Sequence, residues 1–210
     1  MSDTVQTIFA VLGTVFDMFT TTIFYKACLG NNNIRVNKIV FFIIYIFSYI
    51  LGLALSQFGY APVFYIFKSF IIMFGLTLLY NSKWTTRLFT ALSYLAFGMI
   101  SELISYGIII ATVKNSDMHS MQNYSLMLSG IFNFIMTLTV TLILNKNTQI
   151  IRSKDYIGFI ITPLISIATL ISISIETDAS EPYAEIGICF AATGLMIINF
   201  IVYYLLENII

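Results

Sequence analysis

Apolar residues fall in seven stretches of about twenty, at 5–27, 38–58, 60–80, 88–112, 125–144, 156–175 and 186–206, with short polar connectors between them. A hydrocarbon core about 30 Å thick takes roughly 20 residues of helix at about 1.5 Å rise each, so every stretch is long enough to cross a bilayer. Helix is the structure to expect, because in hydrocarbon each backbone N–H and C=O needs a partner within the protein, and barrel strands would alternate over about 10 residues. Ile171 to Glu176 (ISISIE) does alternate like a strand, but it is too short to override the apolar run that contains it. The pattern predicts an all-α polytopic transmembrane bundle of seven spans over residues 1–206. No soluble domain, long linker or repeat interrupts it.

Composition agrees with this reading. The chain is 59% hydrophobic and 10% charged, where soluble domains typically have about 45–50% and about 25%. Net charge is zero, so nothing points to nucleic acid, and placement carries the information. The first, third and fifth connectors hold Lys26, Arg35, Lys38, Lys83, Arg87, Lys146, Arg152 and Lys154; the others hold only Lys114. Positive charge marks the cytoplasmic side, which predicts an outside N-terminus and a cytoplasmic C-terminus. Aromatic residues near the span ends fit interface belts: Tyr60, Tyr106, Tyr124 and Tyr183 outside, and Tyr25, Tyr80, Trp84, Tyr156, Tyr203 and Tyr204 inside. Asp3 stands where a signal peptide would be basic, so the first helix is expected to be retained. Cys28 and Cys189 fall at opposite faces of the membrane, too far apart for a disulfide.

Three ionisable side chains lie inside spans: Asp17, Lys68 and Glu102. Counted from the outer helix ends, they fall within about 6 Å of one another in depth. A charge near the bilayer centre costs about 2.5–3.5 kcal/mol on insertion scales, so one base and two acids at one level read either as a register-fixing ion pair or as a ligand or signalling site. Ser125, Ser129, Asn133, Thr137 and Thr141 recur every fourth residue, as do Thr162, Ser166, Thr169 and Ser172 beside Pro163, and Thr14, Asp17 and Thr21 share a face of span one. Such stripes are expected to make hydrogen bonds between helices. Asn199 is a further polar candidate inside span seven, where Gly187, Ala191 and Gly194 form a small-residue face for close helix contact.

No catalytic chemistry is legible in these residues. His119 is alone in the predicted fourth connector, far from any Cys, Asp or Glu in metal-ligand spacing, and no glycine pattern fits a nucleotide loop. No cofactor and no metal are expected. The acidic run Glu176 to Glu185 (ETDASEPYAE) fits either a solvated connector or an attractor of cations.

Residues 77–110, TLLYNSKWTTRLFTALSYLAFGMISELISYGIII, resemble the third connector and fourth span of accessory-gene-regulator type sensor histidine kinases, the GHKL-class peptide-pheromone receptors. The shared pattern is Leu78-Leu79-Tyr80, a short basic connector with Lys83 and Arg87, then a long apolar helix interrupted by Ser101-Glu102. Asp17 in mid-helix and the YYLLENII ending, Tyr203 to Ile210, are similar to that family's opening helix and its entry into the signalling helix, here 207–210. The resemblance implies a bacterial plasma-membrane sensor, an extracellular peptide ligand, and a homodimer formed through a cytoplasmic kinase region. Neither an ATP-binding domain nor a cytoplasmic phospho-accepting His is in these residues, so the chain reads as the sensor part alone. The alternative is a small transporter or its substrate-binding subunit, with Asp17, Lys68 and Glu102 lining the path.

Overall fold

The structure, a computed structural model, describes residues 3–30, 38–56, 62–112, 118–144, 155–176 and 184–208. Seven helices follow one another, with no strand among the described residues: α1 (Asp3–Leu29), α2 (Lys38–Ser56), α3 (Pro62–Thr77), α4 (Trp84–Thr112), α5 (Met118–Leu144), α6 (Asp155–Glu176) and α7 (Ala184–Asn208). ISISIE is helical, as the last turns of α6. Helices α4 and α5 begin earlier than hydropathy alone suggests, at Trp84 and Met118. Apolarity marks where a helix needs an apolar setting; backbone hydrogen bonding starts wherever the chain permits it. His119 consequently lies in the first turn of α5 instead of a connector. Arg35, Lys114, Lys146, Arg152, Lys154, Tyr60 and the acidic run's 177–183 lie outside the described residues.

Local chemistry fixes two helix ends. Gly30, at φ 92°, donates its N–H to the Lys26 carbonyl (3.0 Å) and closes α1 in the left-handed conformation that glycine adopts without penalty. Helix α3 stops at Thr77, and the chain tightens through N–H bonds from Leu78 to Gly75, Leu79 to Leu76 and Tyr80 to Thr77. Arg87 then reaches back, its Nη2 donating to the Tyr80 carbonyl at 2.8 Å and its Nε to Ser82 Oγ at 3.3 Å. A cation there suits the negative end of the α3 dipole. Arg87 is thus buried, a structural part of the connector as well as one of its positive charges.

Helix α4 packs against α1, α3, α5, α6 and α7, while α2 packs mainly on α3. From Thr86 to Phe97 only Leu88 and Leu95 escape full burial, and Thr90, Ala91, Ser93 and Ala96 keep that surface narrow enough for close approach. An aromatic cluster closes the same end. Phe24 meets Tyr203 (6.2 Å between centroids), Tyr25 and Phe41 meet Tyr80 (6.2 and 5.8 Å), and Phe89 meets Tyr203 (5.4 Å). These contacts set the ends of α1, α3 and α7 beside the starts of α2 and α4. Helices α1 to α4 therefore alternate in direction, and the start of α1 lies at the opposite end of the bundle from the end of α7. Tyr25, Tyr80 and Tyr203 are core residues, not interface markers; Tyr106, Tyr124, Trp84 and Tyr204 are the exposed ones.

The surface is the reverse of a water-soluble domain's. Leu12, Val15 and Phe19 on α1, Phe42, Ile43, Ile46 and Phe47 on α2, and Leu126, Ile131, Ile135 and Leu142 on α5 face outward, while Thr20, Thr90, Ser93, Ser101, Asn133, Thr137, Ser166 and Asn199 are buried. Trp84–Ile109 and Tyr124–Leu144 are long and apolar enough to cross a membrane, and shorter apolar segments occur in α2, α3, α6 and α7.

Candidate functional site

Tyr94, on α4, joins three helices through one hydroxyl. It donates to Asp17 Oδ1 of α1 at 2.8 Å. Its oxygen accepts from Asn133 Nδ2 of α5 at 3.2 Å and lies 2.8 Å from Thr21 Oγ1. Thr21 Oγ1 is also 2.8 Å from the Asp17 carbonyl, one turn back along its own helix. The stripes read from the sequence bring these groups together: Asp17 and Thr21 face inward from α1, and Ser129, Asn133 and Thr137 are buried on α5. Asn133 Oδ1 and Thr137 Oγ1, one turn apart, are buried with no hydrogen-bond partner among the described residues. Tyr94 was not a sequence candidate, because nothing in a chain with 13 tyrosines marks the one that faces a carboxylate.

Beyond this cluster the face of α4 that carries Tyr94 becomes exposed. Tyr94, Gly98, Glu102 and Tyr106 recur every fourth residue on α4, the helix that five others surround. Tyr94 is buried, Gly98 half-buried, Glu102 exposed and Tyr106 48% exposed. A Cβ placed on Gly98 meets no atom within 4 Å. On α1, one turn before half-buried Asp17, Gly13 is exposed and equally uncrowded. Two stripes, each with a glycine and a carboxylate, thus lead from the Tyr94 hydroxyl toward the surface on the neighbouring helices α1 and α4. Glu102 lies within electrostatic reach of Asp17.

Lys68 enters from α3, 8% exposed. The Tyr25 hydroxyl donates to the Met73 carbonyl at 2.9 Å and ties α1 to α3. Counted back from that bond, Asp17 is about 12 Å and Lys68 about 8 Å along helices that run the same way, a difference within a lysine side chain's reach. The three ionisable groups therefore come from adjoining helices.

Other expectations resolve differently. Asn199 Nδ2 donates to Ser166 Oγ (2.9 Å) and to the Leu195 carbonyl (2.8 Å), joining α7 to α6. Several hydroxyls on the polar stripes bond to their own helix one turn back, as Thr21 does to Asp17, Thr141 to Thr137 and Ser166 to Thr162. That local bond is available wherever a Ser or Thr is helical, whereas an interhelical one needs a partner at the right depth. On α7 the buried residues are Ala192, Asn199, Val202 and Tyr203. Ala191 is half-buried and a Cβ on Gly194 would meet nothing within 4 Å, so the packed stripe is rotated by about one residue from the glycines. The surroundings of Gly187, Thr14, Ser172 and Cys189 lie outside the described residues. Cys28 carries a free thiol.

Comparison with protein-family models, curated proteins and solved structures finds no match.

Proposed function

We propose that the chain is a seven-span membrane sensor module whose exposed stretch of α4 lies on the outer side and takes an extracellular ligand, a peptide in the reading suggested by residues 77–110. The observation that carries this is the contrast along one face of α4, buried among aromatic side chains at Tyr94 and exposed at Glu102 and Tyr106. The excess of basic connector residues at the aromatic end supports its cytoplasmic placement. The apolar outer surface supports lipid as the solvent, since a soluble monomer rarely exposes apolar patches beyond a few hundred Å². The ligand site lies on one side, and the aromatic core on the other joins α1, α4 and α7 through Phe24, Phe97 and Tyr203. A ligand that fits one packing of that core better than another shifts their balance, and α7 carries the shift onward.

The test is a chimera with a histidine kinase catalytic region joined after Ile210, in membrane vesicles. Peptide fractions from the producing culture, added to the outer side, are expected to change autophosphorylation, and Gly98→Leu is expected to abolish the response while insertion stays normal. Uptake of labelled solute by the vesicles without any change in kinase output would favour the transporter reading instead.

A further inference from the structure

Helix α3 exposes one apolar line. Phe67, Ile71, Gly75 and Leu78 follow at spacings of four, four and three residues, so they share a face, and all four are exposed. A Cβ built on Gly75 meets no atom within 4 Å, which leaves a shallow notch between Ile71 and Leu78. From Phe67 to Leu78 the helix rises about 16 Å, roughly the depth of one leaflet. The line ends at the α3–α4 turn on two more exposed side chains, Lys83 and Trp84. The Trp84 ring stands edge-on to Phe74 at 4.7 Å between centroids, and Phe74 stacks on Phe70 at 5.8 Å, so the indole is held at the rim of the same face. Residues 78–87 carry two bases and no acid. Arg87 is buried against the Tyr80 carbonyl and Ser82. The Lys83 ammonium, by contrast, is exposed and takes no partner among the described residues.

We propose that this face holds one anionic phospholipid, with an acyl chain along the line from Phe67 to Leu78 and the headgroup phosphate at Lys83. An apolar line one leaflet deep that ends on a single cation matches such a lipid in both length and charge. Trp84 suits the level between them, since an indole is apolar in its rings and a donor at its N–H. Phosphatidylcholine carries a quaternary ammonium beside its phosphate and gives Lys83 no net charge to meet. A soluble anion makes no use of the apolar line. The inference rests on the bilayer placement proposed above, and on neither the extracellular ligand nor the kinase output.

Trp84 is the one tryptophan in the chain, so its fluorescence reports this face alone. The full chain is placed in phosphatidylcholine vesicles containing a small fraction of lipid brominated on its acyl chains, either phosphatidylglycerol or phosphatidylcholine. Brominated phosphatidylglycerol is expected to quench Trp84 with an apparent preference of about fivefold, the effect of one basic residue at an anionic surface. The quenching should saturate as the anionic fraction rises. Lys83→Gln should equalise the two lipids, Lys83→Arg should keep the preference, and Lys26→Gln, at an exposed base on α1, should keep it too. Equal quenching of the wild-type chain by the two lipids overturns the proposal without recourse to any variant, as does quenching that never saturates. It is overturned equally if Lys26→Gln removes as much preference as Lys83→Gln, which means a diffuse attraction, or if inorganic phosphate displaces the lipid, which means an anion site that needs no chain. Both leaflets of the vesicle have the same composition, so a topology result placing Lys83 outside would sink the inward placement of this end and leave the lipid result standing.

Discussion

Tyr94 shares one hydroxyl among α1, α4 and α5, and that sharing is measurable. Replacing it with Phe keeps the ring that packs against Phe24 at 5.4 Å but strips Asp17 of a donor and Asn133 of an acceptor. A hydrogen bond to a charged group is worth about 1.5–3 kcal/mol, and Tyr94→Phe should lower stability by that amount in thermal unfolding of the chain in nanodiscs. Asn133→Leu should then cost less in the Tyr94→Phe background than in the wild type, because the bond it removes is already gone. Strictly additive losses would mean that the hydroxyl does not link the two helices.

Between elements, the charges are expected to set register. Asp17, Lys68 and Glu102 stand on α1, α3 and α4, and Lys68 is expected to pair with one of the acids. Breaking one member of a buried pair costs about 3–5 kcal/mol, since the charge left behind has no compensation. Lys68→Met should therefore reduce folded yield more than Lys68→Met combined with neutralisation of its partner, Asp17→Asn or Glu102→Gln. If neither double variant recovers yield, Lys68 holds its place by some other contact. A Cβ placed on Gly98 or Gly13 meets no atom within 4 Å, so neither glycine is required for close approach of its helix.

For the molecule as a whole, the end of α7 lies beside the end of α1 and so opposite its start, and the basic connectors are expected to choose which end faces the cytoplasm. In a Cys28→Ser, Cys189→Ser background, an impermeant thiol reagent added to intact cells should label Ser180→Cys and leave Asn147→Cys unmodified. The opposite pattern would turn Glu102 and Tyr106 toward the cytoplasm and remove the case for an extracellular ligand.

Helix positions, the polar stripe of α5 and the isolation of Asp17, Lys68 and Glu102 among apolar residues were all legible in the chain. Each depends on periodicity and composition, which are local. Which tyrosine faces Asp17 was not legible, because Tyr94 differs from its neighbours only in what α1 and α5 bring to it. The same holds for Arg87, whose charge is visible in the sequence while its burial against the Tyr80 carbonyl comes from the α3–α4 turn. Gly194 and Ala192 lie two residues apart, yet only Ala192 is packed, because the rotation of α7 against its neighbours is set by contacts with other helices. Sequence alone determined that seven apolar helices form and where the charges interrupt them. The tertiary structure decided that α4 is central, that Tyr94 is buried while Glu102 and Tyr106 on the same stripe are exposed, and that a single hydroxyl joins α1, α4 and α5, since these follow from which helix faces meet.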